Sequence, residues 1–325
     1  MTEFTKDVII SSNLSLRRNI KGYDFPTTMT YDESLIIIDM VKNIFDDRLV
    51  KLSDLDDDTI DRLIEDMVLS EDTRDKLIEV GLVFEGDTTL VINDRDHISI
   101  NISDFDLDLT SAYKRAVEIE KVLDKYLDFA FSSEYGYLTS GARNAGTGLE
   151  IWVKMFLFGL IDNPKTYQGF EQAMVYAGLY PRKFVPDGLK SYADDLYLLK
   201  NYGNYRKDTA GYLKKIEKDL ETLVKSERRF RRDYKILNNI DDREVEEEIE
   251  LLENSLKGGL VKSLEKMAAY LYKLRKYQLL GFKTNISEAD IDYLIKNITS
   301  YKYKDNLNAE RYEFLMKYMG DDHGK

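Results

Sequence analysis

The sequence predicts an α+β chain, with a small helical part near the N-terminus, then strands flanked by helices, then a stretch that is almost wholly helical. Three observations carry this reading. Apolar residues recur at helical spacing in segments near 32–46, 58–68 and 71–80, alternate at period two between Leu90 and Ile102, and return to helical stripes beyond Gly203. At 325 residues the chain exceeds the usual single domain, so two domains are expected, divided near Asn238-Asn239, a polar break between helical runs.

Taken in order, residues 7–12 read as a first strand, followed by an irregular segment holding Gly22 and Pro26. Leu35, Ile36, Ile37, Ile38, Val41, Ile44 and Phe45 make 32–46 a buried amphipathic helix. For 71–80, Ser70 is a candidate N-cap, with Glu71 and Asp72 in the first turn. Leu90 and Ile92, then Ile98, Ile100 and Ile102, alternate as two strands joined near Asp94-Arg-Asp-His97. Leu109 to Phe131 reads as a long helix and Tyr135–Ser140 as a strand. A glycine-bearing loop leads into an apolar helix over 148–160, and Asn163-Pro164 starts another helix. Leu213, Ile216, Leu220, Leu223 and Val224 form one later stripe; Leu256, Leu260, Leu264, Met267, Leu271 and Leu274 form a second.

Composition narrows the function. Hydrophobic residues at 43% and charged residues at 33% describe a globular chain, and no apolar run reaches the roughly 20 residues of a membrane helix. The N-terminal residues lack an apolar targeting segment, so a cytoplasmic location and no membrane partner are expected. There is no cysteine, and His97 and His323 are the only histidines, so no metal site is expected. A net charge of −13 opposes nucleic-acid binding. The basic window Lys225–Lys235 runs against that trend; it reads as a solvated helix face paired with Glu217, Asp219 and Glu221, the alternative being a phosphate patch. The 23 tyrosines are read mostly as packing, or as an interface.

Asn144-Ala-Gly-Thr-Gly148 by itself is a turn of the kind that caps a helix or cradles phosphate, and it matches no nucleotide fingerprint. Its neighbours add specificity. Gly136-Tyr-Leu-Thr-Ser-Gly-Ala-Arg-Asn-Ala-Gly-Thr-Gly-Leu149 resembles the signature of the ATP:guanido phosphotransferases, Gly-Tyr-Leu-Thr-Ser-Cys-Pro-Thr-Asn-x-Gly-Thr-Gly-Leu-Arg. Ile10-Ser-Ser-Asn-Leu-Ser-Leu-Arg-Arg-Asn19 resembles the family's Ser-Ser-Arg-x-Arg-x-x-Arg-Asn, and Val91-Ile-Asn-Asp-Arg-Asp-His-Ile-Ser99 its Val-Asn-Glu-Glu-Asp-His-x-Arg. Ser226-Glu-Arg-Arg, Leu279-Leu-Gly281 and Lys304-Asp-Asn-Leu-Asn-Ala309 extend the likeness to the tail of the protein arginine kinases, including their phosphoarginine-reading Arg-Asp-x-x-Arg-Ala.

The resemblance implies a guanido-kinase-like fold with an antiparallel sheet flanked by helices. It assigns 1–238 to a guanido phosphotransferase-like domain, helical at about 30–82 and sheet-containing at about 83–238. Residues 239–325 become a helical dimerisation and phosphoarginine-binding-like domain. The family uses Mg-ATP, arginines clamped on the phosphates, a carboxylate that deprotonates the guanidinium, and a cysteine. Guanidinium forks match phosphate oxygens bidentately and neutralise charge in the transition state.

Position by position, this chain departs. The first two clamp arginines fall on Asn13 and Ser15, and only the third survives, as Arg18. The catalytic glutamate falls on Arg95, the arginine after Asp-His on Ser99, the cysteine on Gly141 and the arginine after the glycine loop on Glu150. Arg-Gly-Leu-Tyr-Gly-Glu survives as Ala177-Gly-Leu-Tyr-Pro181, its arginine lost at Ala177 and its glutamate falling on Arg182 or Asp187. Loss of the four phosphate-clamping arginines expected at Asn13, Ser15, Ser99 and Glu150 removes roughly 6–12 kcal/mol of charge-assisted bonding, comparable to the whole of about −8 kcal/mol in micromolar binding. No bound nucleotide cofactor is therefore expected, and Glu150 adds a like charge.

The favoured expectation is a pseudokinase that binds a protein partner, as a homodimer or with an active arginine kinase or its clients. The alternatives are an active arginine kinase working through substituted residues and a phosphoarginine reader using Lys304, Asp305 and Asn308. His97 reads as a satisfied core or turn histidine rather than a general base.

Overall fold

A computed structural model describes residues 6–103, 107–184, 195–201, 208–261, 264–297 and 315–316. The strands are β1 (Ile9–Arg18), β2 (Leu49–Lys51), β3 (Gly81–Glu85), β4 (Thr88–Ile92), β5 (Ile98–Ser103), β6 (Phe131–Ser132), β7 (Gly136–Tyr137), β8 (Leu149–Phe156), β9 (Leu179–Lys183) and β10 (Leu196–Asn201). The α-helices are α1 (Tyr31–Phe45), α2 (Asp57–Glu65), α3 (Leu109–Leu123), α4 (Phe158–Ile161), α5 (Pro164–Ala177), α6 (Thr209–Leu237), α7 (Asp242–Lys257), α8 (Leu264–Leu279) and α9 (Glu288–Asn297).

Eight strands form one antiparallel sheet in the order β2-β3-β4-β5-β1-β8-β10-β9, which puts β1 and β8 at its centre. Side chains alternate across a strand, so each central strand serves two faces. On one face Leu14, Leu16, Ile100, Leu149, Ile151 and Val153 pack beneath α3 and α6, against Ala112, Ala116, Leu213, Ile216 and Leu220. On the other, Trp152, Phe156, Leu196 and Leu198 share a second core with Val245, Ile249 and Leu252 of α7 and Leu271 and Tyr272 of α8. The C-terminal helices are therefore packed on the sheet.

Polar anchors fix the long helix α6 to the sheet. Fully buried Glu227 accepts hydrogen bonds from the Gly159 and Leu160 amides at the start of α4 (2.9 and 2.8 Å) and pairs with Arg231 at 2.7 Å. Burial pushes the Glu227 carboxyl above its ordinary value. Arg231 also bonds the carbonyl oxygens of Asp7 and Phe156, tying α6 to the beginning of β1 and the end of β8.

Several sequence expectations are corrected. Residues 148–160 are mostly a strand, because Ile151, Val153 and Met155 alternate with Glu150, Trp152 and Lys154 while the turn of α4 begins only at Phe158. Segment 71–80 holds one 3-10 turn, Thr73–Asp75; the Ser70 amide and hydroxyl do not cap a helix but bond the Asp94 carboxylate. The helix read to Phe131 ends at Leu123, and the strand read at Tyr135–Ser140 covers only Gly136–Tyr137. The first strand continues to Arg18, and β2 with the start of β3 lies inside the segment read as helical. In the basic window only Glu221 of the three expected carboxylates pairs, with Lys225; Arg228 and Arg231 pair with Asp7, while Glu217 bonds Thr110 and Asp219 bonds Lys215.

Candidate functional site

Four of the positions at which the resemblance leads one to expect arginine, Asn13, Ser15, Ser99 and Glu150, lie on one polar face at the centre of the sheet. Alternation along β1 turns Asn13, Ser15 and Arg17 to the same side, and register sets Asn13 opposite Trp152 and Ser15 opposite Glu150 on β8. Ser99 faces Arg17 from β5, and Lys200 faces Trp152 from β10. Arg182 on β9 adds a guanidinium 5.6 Å from the Trp152 ring, and the Lys200 ammonium lies 4.1 Å from the same ring.

Glu150 is fully buried, and it contacts both the Arg17 guanidinium and the Lys200 ammonium. Arg17 also approaches Asp96 at 3.5 Å. Burial, and then the nearby Arg95 charge, push the Arg17 guanidinium down to about 10, with Asp96 and Asp94 opposing. Burial, followed by Arg17, Arg95, Arg182 and Arg143, pushes the Lys200 ammonium down to about 7. The Glu150 carboxylate is thus met by cations from both β1 and β10. Arg17 and Lys200 were missed in the sequence; the period-two alignment of Arg17 with Asn13 and Ser15 was the signal for the first.

A second feature covers this face. The chain leaving α2 crosses it, with Met67 in the left-handed region at φ 62 and buried. Its carbonyl oxygens take donors from the sheet: Glu65 from the Lys154 ammonium (3.0 Å), Met67 from the Asn13 amide and Arg95 (both 3.2 Å), and Leu69 from Arg95 (2.9 Å). Arg95, expected from the resemblance at the family's glutamate position, is therefore a tie for the 65–69 segment. It cannot accept a proton from a substrate.

The retained family residues have structural work. Arg18 points to the opposite face, where it pairs with Glu120 (2.5 Å), donates to the Thr147 carbonyl (2.9 Å) and stacks 3.5 Å from the centre of the Tyr137 ring. His97 is buried; Nδ1 accepts from the Ile20 amide (2.9 Å), so the proton sits on Nε2, which donates to the Asp24 carbonyl (2.8 Å). Burial pushes its imidazole below the ordinary value. Asp96 accepts from Asn19 (2.7 Å) and the Ser140 amide (2.6 Å), joining β1 to the glycine loop. Gly148 has φ +67, and a β-carbon there would lie 2.4 Å from the Arg17 carbonyl oxygen, so this approach requires glycine.

Gly141 is exposed at the start of a 3-10 turn, and its carbonyl accepts from the Thr139 hydroxyl at 2.8 Å. Ala177 is the buried last residue of α5, before Gly178 in the left-handed region. Asp187, Lys304, Asp305 and Asn308 lie outside the described residues. The residues present do not fit Mg-ATP held in the family's way. Neutral Asn13, Ser15 and Ser99 lie at the positions where the sequence resemblance leads one to expect phosphate-binding guanidiniums, and Glu150 places a carboxylate among them.

Comparison with known proteins accords with this architecture. The profile of the ATP:guanido phosphotransferase C-terminal catalytic domain matches residues 35–230, and the chain belongs to that family. Within it, the protein-arginine kinase of Clostridium novyi (strain NT) is 26% identical over 314 residues, covering 92% of this chain and 89% of the kinase. That of Halothermothrix orenii is 24% identical over 328 residues, covering 88% and 92%. Among solved structures, the duplicated taurocyamine kinase from Schistosoma mansoni with bound transition-state-analogue components superposes at TM-score 0.58 and 19% identity. The match covers 70% of this chain and 34% of that one. Lombricine kinase superposes at TM-score 0.55 and 19% identity, covering 68% of this chain and 66% of the kinase. These two likenesses establish the guanidino-kinase fold. Among the described residues no helix is long and apolar enough to cross a membrane.

Proposed function

We propose that this chain is a non-catalytic member of the protein arginine kinase group that acts by binding another protein, either a second copy of itself or an active arginine kinase and its clients. The observation that carries the reading is the fate of Arg95. The family's proton acceptor is replaced there by a cation whose guanidinium is committed to the Met67 and Leu69 carbonyls. Glu150, between Arg17 and Lys200, supports the same reading, since it occupies with negative charge a position that would meet phosphate. Incubation with Mg-ATP and an arginine-rich protein, followed by mass spectrometry under conditions that preserve acid-labile phosphate, should yield no phosphoarginine. Light scattering should show association with itself or with an added arginine kinase.

A second reading, an active kinase working through substituted residues, is favoured by the two named protein-arginine kinases that match nearly the whole chain. Phosphoarginine that forms in proportion to this chain and vanishes in Asp187→Asn would establish it. A phosphoarginine-reading adaptor through Lys304, Asp305 and Asn308 is a further reading, tested by binding of a phosphoarginine peptide to the full chain.

A further inference from the structure

The basic window of α6 has no part in the polar face of the sheet. Lys225, Arg228, Arg232 and Lys235 recur at spacings of three and four residues, so they share one side of the helix over about 15 Å. With Arg231, and with Leu279, Leu280 and Gly281 at the end of α8 and in the turn after it, they line a groove of about 690 Å³. Asp7 is the carboxylate of that lining among the described residues, and Arg228 and Arg231 share it. Buried Glu227 takes Arg231 from within the fold, and Asp242 takes Lys235 at 2.9 Å. Glu221 stands 3.6 Å from Lys225 with both side chains largely exposed, an arrangement worth about 0–1 kcal/mol. Arg232 is exposed and has no ion pair among the described residues. The last carbonyls of α8 offer no bare acceptors, because the Leu280, Gly281 and Phe282 amides bond those of Lys276, Gln278 and Tyr277. The groove therefore keeps cationic capacity in a chain of net charge −13. Its surroundings are apolar as well: Leu279 and Leu280 line it, and Ile236 and Leu237, next along α6, are 78% and 68% exposed.

We infer that this groove docks an acidic amphipathic helix of another protein. Carboxylates on such a helix meet Arg232, Lys225 and Arg228, while its apolar stripe covers Leu279 and Leu280. The basic face is about three helical turns long, which suits a helix laid along it. A nucleic-acid strand would leave the apolar surface unused, and the negative charge of the rest of the chain repels a long polyanion. The inference rests on the partner-binding reading and adds to it the surface used and the chemistry of the partner.

Fluorescence anisotropy on the full chain tests this. The probe is a labelled helical peptide of roughly three turns, with leucine along one face and glutamate on the others. Its anisotropy should rise saturably as the chain is added, and the affinity should fall as salt is raised. Reversing two exposed cations together, Lys225→Glu with Arg232→Glu, should weaken binding about tenfold. Lys21→Glu, beyond the opposite end of β1 from Asp7, should leave it unchanged. Replacing the peptide leucines by glutamine should abolish binding. The inference is overturned by an unsaturable response, by equal binding of a peptide with lysine in place of glutamate, by indifference to the double substitution, or by tighter binding of a single-stranded oligonucleotide. A dimer of the chain that the double variant dissociates would also overturn it, assigning the groove to a second copy. If an arginine kinase associates equally with the chain and the double variant, and the peptide does not bind, the partner-binding reading survives and this surface does not. Phosphoarginine formation would end the non-catalytic reading, and the docking inference would still stand or fall on the peptide.

Discussion

At the scale of single residues, Glu150, Arg95 and His97 carry most of the account. Glu150→Gln would remove the carboxylate that both the buried Arg17 and the partly exposed Lys200 contact. Breaking a buried pair from one side costs about 3–5 kcal/mol, so the urea midpoint should fall markedly while near-ultraviolet dichroism reports a native fold in water. Restoring the family's carboxylate by Arg95→Glu should destabilise rather than activate. It removes the donors to Met67 and Leu69, worth about 1.5–3 kcal/mol each, and turns a carboxylate toward two carbonyl oxygens. A chemical denaturation curve and a phosphoarginine assay on the same sample check both halves. His97 supplies a pH dependence. Its imidazole is held below the ordinary value of about 6.5, so below that pH the unfolded chain binds a proton that the folded chain resists. Stability should decline as pH falls from 7 toward 6, which denaturation midpoints across that range will show.

At the scale of elements, β8 and the segment after α2 decide the outcome. Gly148→Ala would drive a β-carbon into the Arg17 carbonyl and require φ +67 of alanine; a loss of more than about 1 kcal/mol is expected, read as a lower melting temperature. The same strand shows how much was legible. The alternation of Ile92, Ile98, Ile100 and Ile102 identified the β4–β5 pair, because one face of each strand is uniformly apolar. Residues 148–160 misled because the apolar run continues past Phe156 into the helical turn of α4, and a short apolar run has no period of its own. The motif positions Asn13, Ser15, Ser99 and Glu150, singled out by the resemblance, do share one face. What replaced them was not readable. Lys200 reaches Glu150 only through the β8–β10 register, and the 65–69 carbonyls reach Asn13 and Arg95 only through a long-range crossing of the sheet.

At the scale of the whole molecule, the C-terminal helices and the sheet share one apolar core, joining Val245, Ile249, Leu252 and Tyr272 to Trp152, Phe156 and Leu198. A chain ending at Asn238 would expose that face. It should aggregate or lose its cooperative transition in scanning calorimetry, whereas the full chain should unfold in one transition. Association is therefore best measured on the full chain, where an interface of standard size would bury about 1,600 Å². The fold is that of a phosphotransferase, and the central claim is that this chain does not transfer phosphate. Phosphorus-31 NMR of the full chain, mixed at stoichiometric concentration with Mg-ATP and an arginine-rich protein, tests the claim most directly. The account predicts ATP signals that persist with no phosphorus–nitrogen resonance; a phosphoarginine resonance growing as the ATP γ-phosphate declines, and absent when the chain is omitted, would contradict it.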